Sequence, residues 1–363
     1  MSNLHDLRTA GVSPWSDQIS RAMLDSGELE RRIREDAITG VTSNPSIFAS
    51  AITGSTDYDD QLRELAGRGA STSEIISDLM GDDIRRACDA LADVYRRTDG
   101  RDGFVSVEVT PTLAHDTDST IAEAREWVKR IDRPNLLVKV PATLEGLPAI
   151  EALIGEGISI NVTLIFSLER YRSVTDSYLT GLETYVSSGG DPSKVASVAS
   201  FFVSRMDVEV DDRLTDVGTD EALALRGKTA IANAQLAYEA FLEAFSGDRW
   251  QELVEAGARI QRPLWASTST KNDAYPDTLY VQELVAPHTV NTMPLETIDA
   301  YQDHGPPPVA FGPEEIARAH QTISAMESVG VDYDDVMDVL EREGVQKFTD
   351  SWNELVEDVD SER

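Results

Sequence analysis

The sequence predicts an α/β protein, a closed parallel (β/α)8 barrel in a single domain with extra helices. Three observations carry that reading. Eight short segments with strand character recur along the 363 residues, most of them separated by stretches with helical spacing. No Gly/Ser linker or break in composition divides the chain, so residues 1–363 read as one barrel domain. Strands that alternate with helices in this number close into a parallel barrel rather than an open sheet.

To within a few residues the strands are expected at 12–17 (VSPWSD), 37–44 (AITGVTSN), 104–109 (FVSVEV), 135–140 (NLLVKV), 158–164 (ISINVTL), 195–203 (VASVASFFV), 262–268 (RPLWAST) and 286–291 (APHTVN). Helices should wrap them. Residues 72–96 repeat Ile75, Leu79, Ile84, Cys88, Leu91 and Val94 at three- to five-residue steps, with Thr72 or Ser73 as cap. Ser167 opens a second long helix, and residues 220–245 form a third. The Pro-rich loop 305–313 leaves only about 50 residues behind it, too few for a typical separate domain. The last amphipathic stretch, 343–357, sets Val345, Phe348, Trp352 and Leu355 on one side, so it should dock on the barrel's outside or its mouth. No longer-period repeat is evident beyond this alternation.

Composition narrows the function. Sixty-five acidic residues stand against 32 basic ones, a net charge of −33, and the basic set is 26 Arg but only six Lys, at positions 129, 139, 194, 228, 271 and 347. That balance rules out a nucleic-acid binder working through a phosphate-neutralising face, and it argues against anionic membranes. At 41 % hydrophobic the chain can bury a large core, which excludes disorder. The acidic skew is either a solvated surface or an adaptation to a high-salt cytoplasm. The Debye length is about 3 Å at molar salt, so self-repulsion is then screened. Depletion of lysine alongside enrichment of carboxylates favours adaptation, and equal activity and thermal stability at 0.1 M and multi-molar KCl (concentrations of order 1 M and above) would overturn it.

Cys88 stands alone, which excludes an internal disulfide framework or a CxxC site and makes a reducing cytoplasm the expected compartment; buried on a helix, it reads as a small apolar residue. The first twenty residues lack a basic segment followed by an apolar one, and no run approaches 18 apolar residues. The five histidines make no HExxH or HxH, and no GxGxxG or GxxxxGK[ST] is present, so neither a metal nor a nucleotide cofactor is expected.

Side chains on a barrel strand alternate between the interior and the surrounding helices, and the helix-facing set must be apolar. In FVSVEV the helix-facing residues are Val105, Val107 and Val109, which turns Ser106 and Glu108 inward. In NLLVKV they are Leu136, Val138 and Val140, which leaves Leu137 and Lys139 inward. In ISINVTL they are Ile158, Ile160, Val162 and Leu164, which aims Ser159, Asn161 and Thr163 at the axis. Thr42 and Asn44 close the second strand, and Ser200 points inward on the sixth if Ala199, Phe201 and Val203 face the helices. All lie toward the C-terminal strand ends, where barrel enzymes keep their chemistry.

Each candidate has a plain alternative. Lys139 could snorkel its ammonium to water. Yet a chain stripped of lysine that keeps one inside an apolar strand needs something arginine cannot do, and a buried amine can add to a ketone as a Schiff base. Glu108 is either an ion-pair partner for Lys139 or a carboxylate that moves protons through water. Ser16 or Asp17 before QISRAMLDSGEL could be a helix cap.

Residues 36–48 (DAITGVTSNPSIF), NLLVKVPAT at 135–143, ISINVTLIFS at 158–167, ASFFVSR at 199–205 and DTLYVQELVAPHTVNTMP at 277–294 resemble the transaldolases, specifically their longer bacterial branch. The resemblance spans essentially the whole chain, including WSDQISR and FTDSWNEL; TSNPS and VKVPAT together make it specific. It implies a TIM barrel that transfers a dihydroxyacetone unit between sugar phosphates in the pentose phosphate pathway, through a lysine Schiff base and without metal or organic cofactor. Sedoheptulose 7-phosphate and glyceraldehyde 3-phosphate would give erythrose 4-phosphate and fructose 6-phosphate.

By that resemblance Lys139 forms the Schiff base, Asp17 is the general acid/base, and Glu108 and Thr163 hold the catalytic water. Asn44, Asn161 and Ser200 bind the dihydroxyacetone hydroxyls, with Thr42 beside them, and Arg205 binds phosphate. Two departures stand out. Thr110 follows Glu108 and Val109 where many relatives have Asp, so any support from that Asp is absent or supplied otherwise. The second phosphate ligand of many relatives is an arginine just after an AS pair on the seventh strand; here ASTSTKN offers Lys271, with the Ser269 backbone or another residue as the alternative. The implied partners are sugar phosphates, not nucleic acid or membrane, for a monomer or homodimer. A class I aldolase on the same barrel, releasing free dihydroxyacetone, is the nearest rival, and a non-catalytic sugar-phosphate-binding barrel a more distant one.

Overall fold

The computed structural model describes residues 3–362. Eight parallel strands close a barrel in sequence order: β1 (Val12–Ser16), β2 (Gly40–Val41), β3 (Phe104–Glu108), β4 (Leu136–Pro141), β5 (Ile160–Ile165), β6 (Ser197–Phe202), β7 (Gln261–Ala266) and β8 (Thr289–Met293). The outward residues Val105, Val107, Val138, Val140, Ile160 and Val162 are wholly buried against the wrapping helices. Full burial of such side chains stabilises by roughly 1.5–3 kcal/mol each, which is why the alternation cannot slip by one residue. Register then aligns the inward residues: Glu108 pairs with Lys139, and Lys139 with Asn161.

Where element ends differ from expectation, the cause is local backbone. β2 is only two residues long because Ala37 takes a left-handed φ of 57° and Asn44 already caps the next helix. β8 starts at Thr289, after His288 at φ 64°. The expected 220–245 helix is two, Asp220–Leu223 and Thr229–Ala244, broken at Gly227 with φ 71°. The helix Thr72–Arg97 is capped one residue early, by Ser71, whose hydroxyl accepts from Glu74 N–H while the Glu74 carboxylate accepts from Ser71 N–H. Cys88 is buried on that helix, and burial pushes its thiol up to about 12.

Leu164 departs from strict alternation. Its φ is 58°, and the β5–β6 register breaks between Val162 and Ile165. A left-handed φ costs a branched residue of order 1–3 kcal/mol, so the surroundings must hold it there. They do so through the helix Tyr333–Glu362, which crosses the mouth of the barrel: a Cβ on Gly344 would lie 3.2 Å from Leu164 Cδ2 and 3.3 Å from the Phe166 ring. Leu164 packs on this C-terminal helix rather than on the wrapping layer alone. Further ties hold the helix down, namely a Ser46–Ser351 hydroxyl pair at 2.7 Å, an Arg170–Glu341 ion pair at 3.3 Å and Thr72 Oγ1 donating to Asp360 at 2.7 Å. Of the two docking places open to residues 343–357, the mouth is the one they take. Among the described residues no helix is long and apolar enough to cross a membrane.

Candidate active site

The pairing of β3 with β4 brings Lys139 Nζ to 3.1 Å from Glu108 Oε2, and the amine also donates to the Ser43 carbonyl at 3.0 Å. Lys139 is 5 % exposed, so the snorkelling alternative fails. Ser43 belongs to the loop after β2, and its hydroxyl donates to Ser106 O at 2.7 Å, pinning that loop to β3. Burial pushes the Glu108 carboxyl up, opposed by the charge and hydrogen bond of Lys139 and by Arg205. Glu108 is thus the ion-pair partner of Lys139, with a carboxyl that burial biases toward holding a proton. Its other oxygen, Oε1, and Thr163 Oγ1 are buried and have no hydrogen-bond partner. Such atoms cost free energy unless something polar meets them, which marks them as points for a reacting molecule or water.

Asn161 is held between two hydroxyls. Its Nδ2 donates to Ser106 Oγ at 3.0 Å, and Ser200 Oγ donates to its Oδ1 at 2.7 Å, which fixes the amide's orientation. Ser200 faces inward, while Phe201 stacks outward edge-on with Tyr171 and Trp265.

Above this buried layer opens a cavity of about 1030 Å³, whose wall includes Asp17, Asn44, Arg205, Ser269, Lys271 and Phe348. Lys139, Glu108, Thr163, Asn161 and Ser200 are not on this wall but buried in the barrel next to it, with Lys139 and Glu108 each 5 % exposed. The Phe348 ring, with its centroid 5.9 Å from Lys139 Nζ, links the layers.

Asp17 is free for chemistry because Ser20 takes the capping role, its hydroxyl accepting from Met23 N–H. Asp17 N–H donates to Met293 O at 3.0 Å, which holds it at the end of β1. Burial, then the Glu296 charge, push its carboxyl up to about 7 against the opposing pull of Lys139 and Lys271. Asn44 lines the cavity, and its Oδ1 caps the helix Pro45–Thr53 by accepting from Ile47 N–H at 3.0 Å. Arg205 lies between Phe202 (5.0 Å) and Phe348 (5.4 Å), a stacked guanidinium with no carboxylate ion pair among the described residues. Its desolvation lowers its pKa, opposed by Glu108. Lys271 donates to Ser269 Oγ at 2.7 Å, so both candidates for the second phosphate ligand stand together on the wall.

Thr42, like Lys139, Asn161 and Ser200, is not on the cavity wall. Its hydroxyl is paired with Thr292 at 2.7 Å, and its N–H donates to Ser16 O, so the structure makes it a strap between β2 and its neighbours. Thr110 is met by a carboxylate from another element. Glu123 Oε1, on the helix Thr117–Ile131, accepts from Thr110 N–H and Oγ1, both at 3.0 Å, and from Trp127 Nε1.

A model of the family described as transaldolase/fructose-6-phosphate aldolase matches residues 14–359. The chain belongs to the transaldolase/fructose-6-phosphate aldolase family. It is 57 % identical over 360 residues to a transaldolase of Thermobifida fusca, covering 99 % of this chain and 97 % of that protein. To transaldolases of Mycolicibacterium smegmatis and Acidothermus cellulolyticus it is 55 % identical over 355 residues, covering 98 % and 97 % of this chain and 96 % and 94 % of theirs. Membership in the transaldolase/fructose-6-phosphate aldolase family accords with the closed barrel.

Residues outside the expected set complete the site: Ser43 and Ser106 brace Lys139 and Asn161, Glu296 biases Asp17, and Phe348 and Lys347 arrive from the C-terminal helix. Lysine scarcity singled out Lys139 and Lys271 but not Lys347, which lies on the last helix rather than in a strand or strand-end loop.

Proposed function

We propose that this chain is a transaldolase, moving a dihydroxyacetone unit from a ketose phosphate to an aldose phosphate. The observation that carries the reading is the buried Lys139 amine hydrogen-bonded to a carboxyl that burial biases toward protonation. Lys139 passes a proton to Glu108 and adds to the C2 ketone, and a proton then moves through water from the new ammonium nitrogen to the alkoxide to give the neutral carbinolamine. Glu108 returns the proton to the carbinolamine hydroxyl through a water held at Glu108 Oε1 and Thr163 Oγ1, and water leaves to give the iminium ion. Asp17 takes the C4 hydroxyl proton as the C3–C4 bond breaks, the electron pair moves into the iminium, and the aldehyde phosphate departs. Asn44, Asn161 and Ser200 hold the hydroxyls of the enamine until an incoming aldehyde phosphate accepts it in the reverse sequence. Kinetics are therefore ping-pong.

Arg205 and Lys271 anchor the phosphate shared by donor and acceptor, fixing its distance from the reacting carbons. Arg205→Ala should raise KM for fructose 6-phosphate by about tenfold or more while changing kcat less, as loss of a charge-assisted contact does. An unchanged KM in steady-state assays would remove Arg205 from the site. Residues 1–363 act as one cytoplasmic domain, a monomer or homodimer, on sugar phosphates. Borohydride reduction with fructose 6-phosphate, followed by peptide mapping, tests the mechanism: the adduct is expected on the Lys139 peptide, and one on any other peptide overturns it. The same barrel could release dihydroxyacetone as an aldolase. A coupled assay without acceptor aldehyde separates the two, with turnover expected to require the acceptor.

A further inference from the structure

The roof of the cavity is the C-terminal helix, and Leu340, Glu343, Gly344, Lys347 and Phe348 line it. These positions are three, four, seven and eight residues beyond the first, which is one face of a helix, so the face turned to the substrate carries a lysine. Lys347 shares the wall with Arg205 and Lys271, and their interaction is repulsive: Arg205 first, then burial, then Lys271 push the Lys347 ammonium down from its ordinary value. None of the three forms a carboxylate ion pair among the described residues. Of the acids near them, Asp17 and Glu296 share the wall, Asp17 interacts with Lys271 and Glu108 with Arg205, but none forms an ion pair with the three cations among the described residues. Glu209 is bound by Arg213 at 2.7 Å, and Glu28 by Arg31 and Arg32 at 2.7 and 2.8 Å. Glu343 stands one turn before Lys347, at the spacing where Glu–Lys pairs form on helices, and forms no ion pair with it.

A chain with 65 carboxylates and six lysines thus sets three cations on the wall of one cavity, none of them in a carboxylate ion pair among the described residues. Resting on the reading of this cavity as a sugar-phosphate site, we propose that Lys347 is a third phosphate-binding residue, supplied by the C-terminal helix, and that it sets selectivity for phosphorylated over unphosphorylated sugars. A phosphate monoester is a dianion near neutral pH, and a mobile ammonium serves it as a point charge beside the planar guanidinium of Arg205. Position is assured by the helix rather than by the lysine's own contacts. Gly344 seats the helix on Leu164 and Phe166, the Ser46–Ser351 and Arg170–Glu341 ties flank it, and Phe348 packs on Arg205, so Lys347 and Arg205 are set over the same end of the cavity.

The test compares fructose 6-phosphate with fructose as donor, and inorganic phosphate as competitive inhibitor, in the full-length protein. Lys347→Gln should raise the fructose 6-phosphate KM and the phosphate Ki by about tenfold, and lower the ratio of the two donors' kcat/KM by a similar factor. Lys347→Arg should recover most of both, because it restores the charge. An equal loss on both donors would show a merely structural role and overturn the proposal, as would an unmoved phosphate Ki. Arg205→Ala, run in parallel, separates the levels. A raised Ki in Arg205→Ala but not in Lys347→Gln defeats this proposal and leaves the phosphate site standing; a Ki unmoved in both defeats the reading of the cavity as well.

Discussion

Lys139→Arg should lose about 10⁴-fold or more of kcat, on the order of what removing a covalent nucleophile costs, because a guanidinium cannot form the Schiff base. Borohydride with fructose 6-phosphate should then leave no adduct. The charge survives, so the partner of Glu108 is kept, but the larger head must fit where Nζ now donates to Ser43 O at 3.0 Å and Glu108 at 3.1 Å. Overpacking of a buried site costs typically about 1–3 kcal/mol, so Tm should fall by a few degrees rather than collapse. Lys139→Met separates charge from chemistry. It fits the space, abolishes trapping equally, and leaves Glu108 without its cation, so that the carboxyl, already pushed up by burial, is driven further toward protonation. Turnover within a hundredfold of the parent in either variant, measured on protein shown to be folded by circular dichroism, would remove Lys139 as the nucleophile.

The buried layer of the site was legible because strand alternation is a local property. Once Val138 and Val140 must face the helices, Lys139 has nowhere to point but inward, and parallel register brings Glu108 and Asn161 beside it. The Thr42 strap was not legible, because whether an inward hydroxyl meets Thr292 or a cavity depends on β8, whose start is displaced by the left-handed His288. Nor was the capping role of Asn44, since the same amide fits a cap and a ligand contact. The departure at Leu164 is of a third kind. Its reward is the seat it gives to Gly344, 180 residues later, and no periodicity within β5 contains that partner. Lys347 was hidden for the same reason: which face of the last helix meets the barrel is decided by Gly344, and Gly344 was not part of the amphipathic count. Of six lysines, Lys139, Lys271 and Lys347 lie at the site, while Lys194 pairs with Asp191 and Lys228 turns back onto Ala224 O at the surface.

Asp17→Asn should lower kcat by about 10²–10⁴-fold, the usual worth of a positioned general acid/base. In the parent, kcat/KM for fructose 6-phosphate cleavage should rise with pH through an inflection near the Asp17 value of about 7, because the carboxylate must be ionised to take the C4 hydroxyl proton and kcat/KM reports the free enzyme. The inflection should vanish in the variant. Stability must move oppositely to activity. Asp17 has a folded pKa of about 7 against an ordinary 3.8, so ionising it is harder in the folded protein than in the unfolded chain. The wild-type residue therefore destabilises fully above about pH 7, less as pH falls, and not at all below about 4, where both states are protonated. Asn, which cannot ionise, should raise Tm at pH 8 and bring no such gain at pH 4. An equal Tm increment at both pH values would assign the effect to packing, and an inflection that persists in the variant would assign the proton transfer elsewhere. Glu296 sharpens the test, since its charge is the second cause of the Asp17 shift and it lines the same cavity. Glu296→Gln should move the kcat/KM inflection to lower pH while leaving Asp17 in place to do the chemistry.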